Sequence, residues 1–95
     1  SSAASDVYKR QLRSLGLYLD LRSQRMGDKQ LAQTIGVSPW KLKSLNKQAR
    51  SWNKAGVARA IRLVNTCDAA VKGAAVDADY ALESMLIAIE EARQA

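Results

Sequence analysis

Apolar residues recur along this chain at intervals of three and four positions, and that spacing predicts α-helices. The first stripe consists of Leu12, Leu15 and Leu19, which predicts a helix running to about Ser23, before a break at Gly27. Sustained alternation of apolar and polar residues, which would indicate strands, is nearly absent. The pattern therefore predicts an all-α fold.

Turn-forming residues predict two short helices after this break. Asp28 is expected to cap a second helix, and Gly36 to end it. Ser38 is expected to cap a third helix that extends to Arg50, because the proline that follows it suits the first helical position. The apolar sides of the two helices are Leu31, Ala32 and Ile35, then Leu42, Leu45, Ala49 and Trp52.

Two longer helices complete the predicted bundle. Asn53 is expected to cap the fourth, which ends at Lys72-Gly73, and Asp77 is expected to cap the fifth. The expected architecture is an all-α, five-helix bundle. Its last two helices should bury Val57, Ala60, Ile61, Val64 and Val71, then Leu82, Met85, Leu86 and Ile89.

The first eleven residues stand apart from this pattern. They read SSAASDVYKRQ, which resembles the translated adapter read-through found at the ends of draft-genome reading frames. Residues 1–11 are therefore expected to be a non-native or disordered leader, and residues 12–95 to form one helical domain.

Composition limits the chemistry available to the chain. A domain of 95 residues buries only about 60–65% of the surface that its unfolded chain exposes, so its own core is marginal. The sequence has no histidine and one cysteine, Cys67, which excludes an internal disulfide and a Cys/His zinc site. Cys67 is expected to be a small core residue. No cofactor or metal is expected, and partners are expected to supply further stability.

Catalysis and membrane insertion are both disfavoured by the sequence. It has no glycine-rich phosphate loop and no histidine for acid–base chemistry. Asp77, Asp79 and Glu83 lie where helix capping and the helix dipole account for their charges. No apolar run reaches the ~20 residues that cross a bilayer, so a cytoplasmic location is expected.

Charge is distributed unevenly along the chain. The net charge is +6, with 13 Lys and Arg against 3 Asp and Glu in residues 1–62, and 2 against 6 in residues 63–95. Such a division predicts either nucleic acid on the basic part or electrostatic pairing with neighbouring subunits. Composition leaves both open.

The segment from Lys29 to Leu45 has the apolar spacing of a helix-turn-helix, with Gly36 at the tight turn. In a DNA-binding version of this motif, the third helix would enter the major groove. Direct base readout is disfavoured, because the first exposed positions offer mainly lysine and no Arg, Asn or Gln for bidentate contacts. Two short helices that merely pack together show the same spacing. The nucleic-acid face would be Lys41, Lys43, Lys47 and Arg50.

Asp68 and Lys72 are four residues apart in the predicted fourth helix. One interpretation is a surface ion pair worth roughly 0.3–0.5 kcal/mol. The other is that both side chains meet charged groups of a neighbouring subunit.

Several short motifs occur in order along residues 29–92. They are Leu31-Ala32, Gly36-Val37, Pro39-Trp40, Gln48-Ala49-Arg50 with Trp52, Val57 to Ala60, Cys67 to Gly73, and DADYALE from Asp77 to Glu83. Together they resemble the C-terminal domain of the DNA polymerase III delta subunit, especially its actinobacterial form. The chain departs from the pattern at Cys67, where relatives often carry an acidic or small residue.

This resemblance implies an oligomerisation domain at the C-terminal end of a longer protein. In that family, the C-terminal helical domains of five clamp-loader subunits form a collar, and delta does not hydrolyse ATP. The implied partners are the tau or gamma and delta prime subunits, with the sliding clamp contacted by the N-terminal part of delta and DNA contacted indirectly or weakly. A helix-turn-helix DNA-binding domain of the transcription-regulator type is the alternative. The expected subunit interface, on the exposed sides of the fourth and fifth helices, comprises Arg59, Arg62, Asp68, Lys72 and Glu83.

Overall fold

A computed structural model of the chain describes residues 3–73 and 77–93. All regular structure in these two ranges is helical, which confirms the predicted all-α, five-helix fold. The helices are α1 (Ala3–Leu21), α2 (Asp28–Ile35), α3 (Leu42–Gln48), α4 (Lys54–Lys72) and α5 (Ala78–Ala92), and a single 3₁₀ turn (Pro39–Lys41) precedes α3.

Helix α4 is at the centre of the core, because α1 packs along one side of it and α5 packs along another. Leu15, Ala60 and Val64 are almost completely buried at this junction. The shorter helices α2 and α3 pack on α1, where the hydroxyl of Tyr18 donates to Asn46 Oδ1 at 3.1 Å. The domain is therefore built from a three-helix core of α1, α4 and α5 with the α2–α3 pair added at α1.

Helix α1 begins earlier than expected and ends at Leu21 rather than Ser23. Residues 3–11, which the sequence set apart as a non-native or disordered leader, form the first turns of this helix. The apolar stripe continues backwards from Leu12 to Tyr8, which packs against the core, and to the buried Ser5. This continuation gives the segment a buried side. Its non-native origin stays a prediction.

Three helix ends follow the sequence prediction. Gly36 adopts the left-handed conformation with φ +89°, and the N–H groups of Gly36 and Val37 both donate to the carbonyl of Ala32. Asn53 Oδ1 accepts from Gly56 N at 2.7 Å. Asp77 Oδ1 accepts from two backbone N–H groups at the start of α5, at 2.8 and 3.1 Å.

The predicted N-caps of the second and third helices, Asp28 and Ser38, are both wrong. Gly27 occupies the cap position of α2, so Asp28 is the first helical residue. Ser38 precedes the 3₁₀ turn but its side chain makes no capping hydrogen bond, and the α-helix starts only at Leu42. A 3₁₀ turn is common at the start of a helix, since its i to i+3 hydrogen bonds tighten the entry. The third helix is therefore shorter than the predicted span to Arg50.

The domain is flat and elongated, with extents of 46 × 25 × 16 Å and a radius of gyration of 14.5 Å. A compact domain of this length would have a radius of gyration of about 12 Å. The thin dimension of 16 Å is less than twice the width of one helix, which is about 10–12 Å. Many core residues therefore lie close to the surface.

Candidate interaction surfaces

Helices α4 and α5 share an apolar groove of about 250 Å³. Leu63, Cys67 and Ala70 line it from α4, and Tyr80 and Ala88 line it from α5, with no charged residue in the lining. We call this surface the α4–α5 groove. Cys67, expected to be a core residue, is half-buried here and also packs against the core.

Large apolar side chains are exposed beside this groove on α5. Tyr80 is 64% exposed and Ile87 is 63% exposed. Leu86 was expected to face inward, but it too is exposed, because the buried side of α5 is centred on Ala81 and Met85. Exposed apolar side chains next to an apolar groove mark a surface that fits a protein partner.

The sequence contains a signal for these exposed residues. Met85 to Ile89 is a run of five consecutive apolar residues, whereas one buried helix face needs only every third or fourth position. The excess predicts that some of the run faces outward. Ile89 packs against the core as predicted, whereas Leu86 is exposed. Tyr80 and Ile87 had no predicted role, so the apolar part of this surface was missed.

The predicted interface residues do not all lie on one surface. Arg59, Arg62, Lys72 and Glu83 are exposed on α4 and α5. Asp68 is only 6% exposed and faces α1. Of the four exposed residues, Glu83 and Arg62 are nearest in sequence to the groove lining, since Glu83 precedes Ser84 and Arg62 precedes Leu63. Arg59 lies one turn before Leu63.

Asp68 does not form the expected surface pair with Lys72. Its Oδ1 accepts from Ser5 Oγ, and its Oδ2 accepts from Lys9 Nζ, both at 2.5 Å. The hydrogen bonds from Lys9 and Ser5 lower the pKa of Asp68 below its ordinary value and outweigh the opposing effect of burial. Lys72 adds only a weak Coulombic attraction. Asp68 therefore attaches the first turns of α1 to α4.

A second and larger groove, of about 850 Å³, lies between α1 and the α2–α3 pair. Arg10, Arg13 and Lys41 line it, together with Gln48 and Trp40, and the lining contains no acidic residue. Trp40 is 75% exposed, with Lys41 Nζ 5.7 Å from the centre of its ring. We call this surface the Trp40 groove, and its charge suits an anionic ligand.

The four residues of the predicted nucleic-acid face are all exposed, but they are divided between surfaces. Lys41 lines the Trp40 groove, whereas Lys43 and Lys47 lie one turn apart on another side of α3 and are absent from the lining. Arg50 follows α3 in a turn. Since α3 has only seven residues, about 10 Å of helix is available for a DNA groove.

None of the described helices is long and apolar enough to cross a membrane. Within the described residues, no group of three or more Cys, Asp or Glu could hold a metal ion.

The fold and these surfaces define a small helical domain with an apolar groove between α4 and α5 and a basic groove beside Trp40. The family model described as DNA polymerase III delta subunit, C-terminal domain, matches residues 7–89. The chain belongs to this family, which confirms the resemblance found in its motifs. The matched range starts within the segment 1–11 that the sequence set apart. No curated protein and no solved structure shows a significant match.

Proposed function

We propose that this domain is the collar module of a clamp-loader delta subunit, and that it binds neighbouring subunits without catalysing a reaction itself. The observation that supports this role is the α4–α5 groove with exposed Tyr80 and Ile87 beside it. In a cytoplasmic five-subunit ring, a neighbour would cover this surface. Burial of an apolar surface by a partner also stabilises a small domain by mass action.

The partners in this proposal are the C-terminal domains of the tau or gamma and delta prime subunits. Arg59, Arg62, Lys72 and Glu83 would contribute polar contacts at the rim of the interface. Asp68 would act indirectly, because its own α1 covers it. The parent subunit would contact the sliding clamp through its N-terminal part.

The test is to mix the domain with each partner domain and to measure mass by size-exclusion chromatography with light scattering. The wild-type chain should form a defined complex with at least one of them. Ile87→Asp should weaken that complex at least tenfold, because it places a charge in an apolar contact. Gln33→Asp is the matched control, since it adds the same charge at an exposed position on α2.

Two results would contradict this proposal. One is the absence of any complex at tens of micromolar with all the partner domains. The other is equal weakening by Ile87→Asp and Gln33→Asp, which would mean that net charge rather than the α5 surface controls association.

A second candidate function is direct contact with DNA, and the observation that favours it is Trp40. Exposed aromatic side chains stack on the bases of single strands, and neighbouring cations bind the phosphates. The Trp40 groove combines both features. In the helix-turn-helix alternative, Lys43 and Lys47 would instead contact a duplex.

Fluorescence anisotropy with a single-stranded and a duplex oligonucleotide separates these two modes of DNA binding. If Trp40 stacks on bases, Trp40→Ala should weaken single-strand binding about tenfold. Tyr80→Ala removes an exposed aromatic side chain from the α4–α5 groove and should leave this binding unchanged. Preferential binding of one duplex sequence, lost in a Lys43→Glu, Lys47→Glu double variant, would favour the helix-turn-helix. Binding in either mode should weaken with salt.

A further inference from the structure

The outer side of α5 carries carboxylates around its exposed apolar residues. Glu83 and Glu91 are four residues before and after Ile87, so all three side chains lie on one side of the helix, one turn apart. Asp79 and Glu90 are also exposed on α5. Residues 78–92 contain no Lys or Arg. A partner of α5 therefore meets a strongly acidic helix.

Three of these four carboxylates have no ion-pair partner in the part of the domain that the structure describes. Glu90 pairs with Arg93 at 3.1 Å. Among the described residues, Asp79, Glu83 and Glu91 take part in no ion pair. Like charges on one helix repel each other, and a cationic partner would relieve this repulsion.

The α4–α5 groove has the length and the spacing of side chains that suit one bound α-helix. The α4–α5 groove runs between two antiparallel helices, and α5 has 15 residues, which correspond to a length of about 22 Å. Tyr80, Ser84 and Ala88 line the groove at intervals of one turn. An amphipathic helix that lies along such a groove buries its apolar side and leaves its flanks against the neighbouring charges.

We propose that the α4–α5 groove binds an amphipathic helix with Lys or Arg on the flank that faces α5. This inference rests on the proposed collar function and adds the chemistry of the partner. The side of the helix that faces α4 differs, because Arg59 is exposed one turn before Leu63. The cations of the partner therefore face Glu83 and Glu91. This charge pattern sets which flank of the bound helix faces α5 and which faces α4.

The test compares two double variants in binding to the C-terminal domains of tau and delta prime. Glu83→Gln with Glu91→Gln neutralises the flank beside Ile87 and changes little in size. Asp28→Asn with Gln33→Lys is the control, because it makes the same change in net charge at two exposed positions on α2. Circular dichroism melting confirms that both variants fold, and affinity is measured by calorimetry at several salt concentrations.

The expected result is at least a fivefold loss of affinity at low salt for the glutamate variant, with a shallower dependence on salt. The control should keep the wild-type affinity. Unchanged affinity and salt dependence in the glutamate variant, with binding still lost in Ile87→Asp, would overturn the basic partner and leave the collar proposal intact. Binding that neither the glutamate variant nor Ile87→Asp weakens would overturn both the basic partner helix and the collar proposal.

The other possible occupant of the groove is a second copy of this chain, whose residues 1–62 are basic. Light scattering on the domain alone detects it. A dimer that dissociates when Glu83 and Glu91 are neutralised would overturn the neighbouring subunit as the occupant. A domain that stays monomeric at tens of micromolar supports the neighbouring subunit as the occupant.

Discussion

At the scale of single residues, Gly56 lies where α4 approaches the end of α5 closely. A Cβ atom there would lie 2.8 Å from the carbonyl oxygen of Ala92 and 3.2 Å from Asn53 Oδ1. Neither neighbour is the mobile end of a long side chain. Gly56 therefore allows the antiparallel pair that forms the α4–α5 groove to close at this end.

We expect Gly56→Ala to lower the free energy of unfolding by about 1–3 kcal/mol, because backbone atoms must move to accept the methyl group. Gly16→Ala in α1 is the matched control. A Cβ there would meet Val57 Cγ1 at 3.4 Å, an ordinary contact, so the gain in helix propensity should stabilise the domain by up to about 1 kcal/mol. Urea unfolding monitored by circular dichroism measures both, and equal effects would contradict the close approach.

Asp68 makes part of the stability dependent on pH. Its pKa is lowered in the folded domain, chiefly by the hydrogen bond from Lys9. The carboxylate therefore binds a proton less readily in the folded state than in the unfolded state, where its pKa is about 3.9. Its contribution is present in full above that value and is lost as the pH falls through the lowered folded-state pKa.

Asp68→Asn should accordingly reduce the loss of stability between pH 5 and pH 2.5, although it lowers stability at pH 7. The measurement is the free energy of unfolding across this range, with Asp28→Asn as the control at an exposed position. If both variants lose stability on acidification as steeply as the wild type, the Asp68 contacts with α1 do not contribute in solution.

At the scale of helices, the sequence predicted the centres of α2, α4 and α5 better than it predicted how helices begin. Asn53 and Asp77 cap as predicted, whereas Asp28 and Ser38 make no capping hydrogen bond. A capping side chain must approach backbone N–H groups that a preceding turn has placed, and the residue type alone does not fix that turn. The 3₁₀ turn at Pro39 was missed for the same reason.

Asn53→Ala should cost about 1 kcal/mol of stability, because the N–H group of Gly56 loses its acceptor. Ser38→Ala should change stability by less than about 0.5 kcal/mol, since Ser38 makes no capping bond. Thermal unfolding of the two variants, compared at the melting temperature of the wild type, distinguishes them. A larger loss from Ser38→Ala would show that its hydroxyl caps the 3₁₀ turn after all.

At the scale of the whole molecule, the sequence predicted the fold class and the family, and its interface residues stay a prediction. Arg59, Arg62, Lys72 and Glu83 are exposed as predicted, because charged residues on amphipathic helices face away from the core. The burial of Asp68 was missed, because it depends on Ser5 and Lys9, which are about 60 residues away in the chain. Periodicity reports which side of a helix is buried, and it does not report which distant residue covers that side.

The flat, 46 Å long shape has a consequence for how association is recognised. An elongated particle has a larger Stokes radius than a sphere of equal mass, so this 10.4 kDa chain should elute ahead of globular standards of its own size. Retention volume alone will then overstate the mass of the monomer, whereas light scattering will not. A partner that lies along the α4–α5 groove would thicken the particle more than lengthen it, so binding should raise the mass by that of the partner and shift the elution position less than this mass alone predicts.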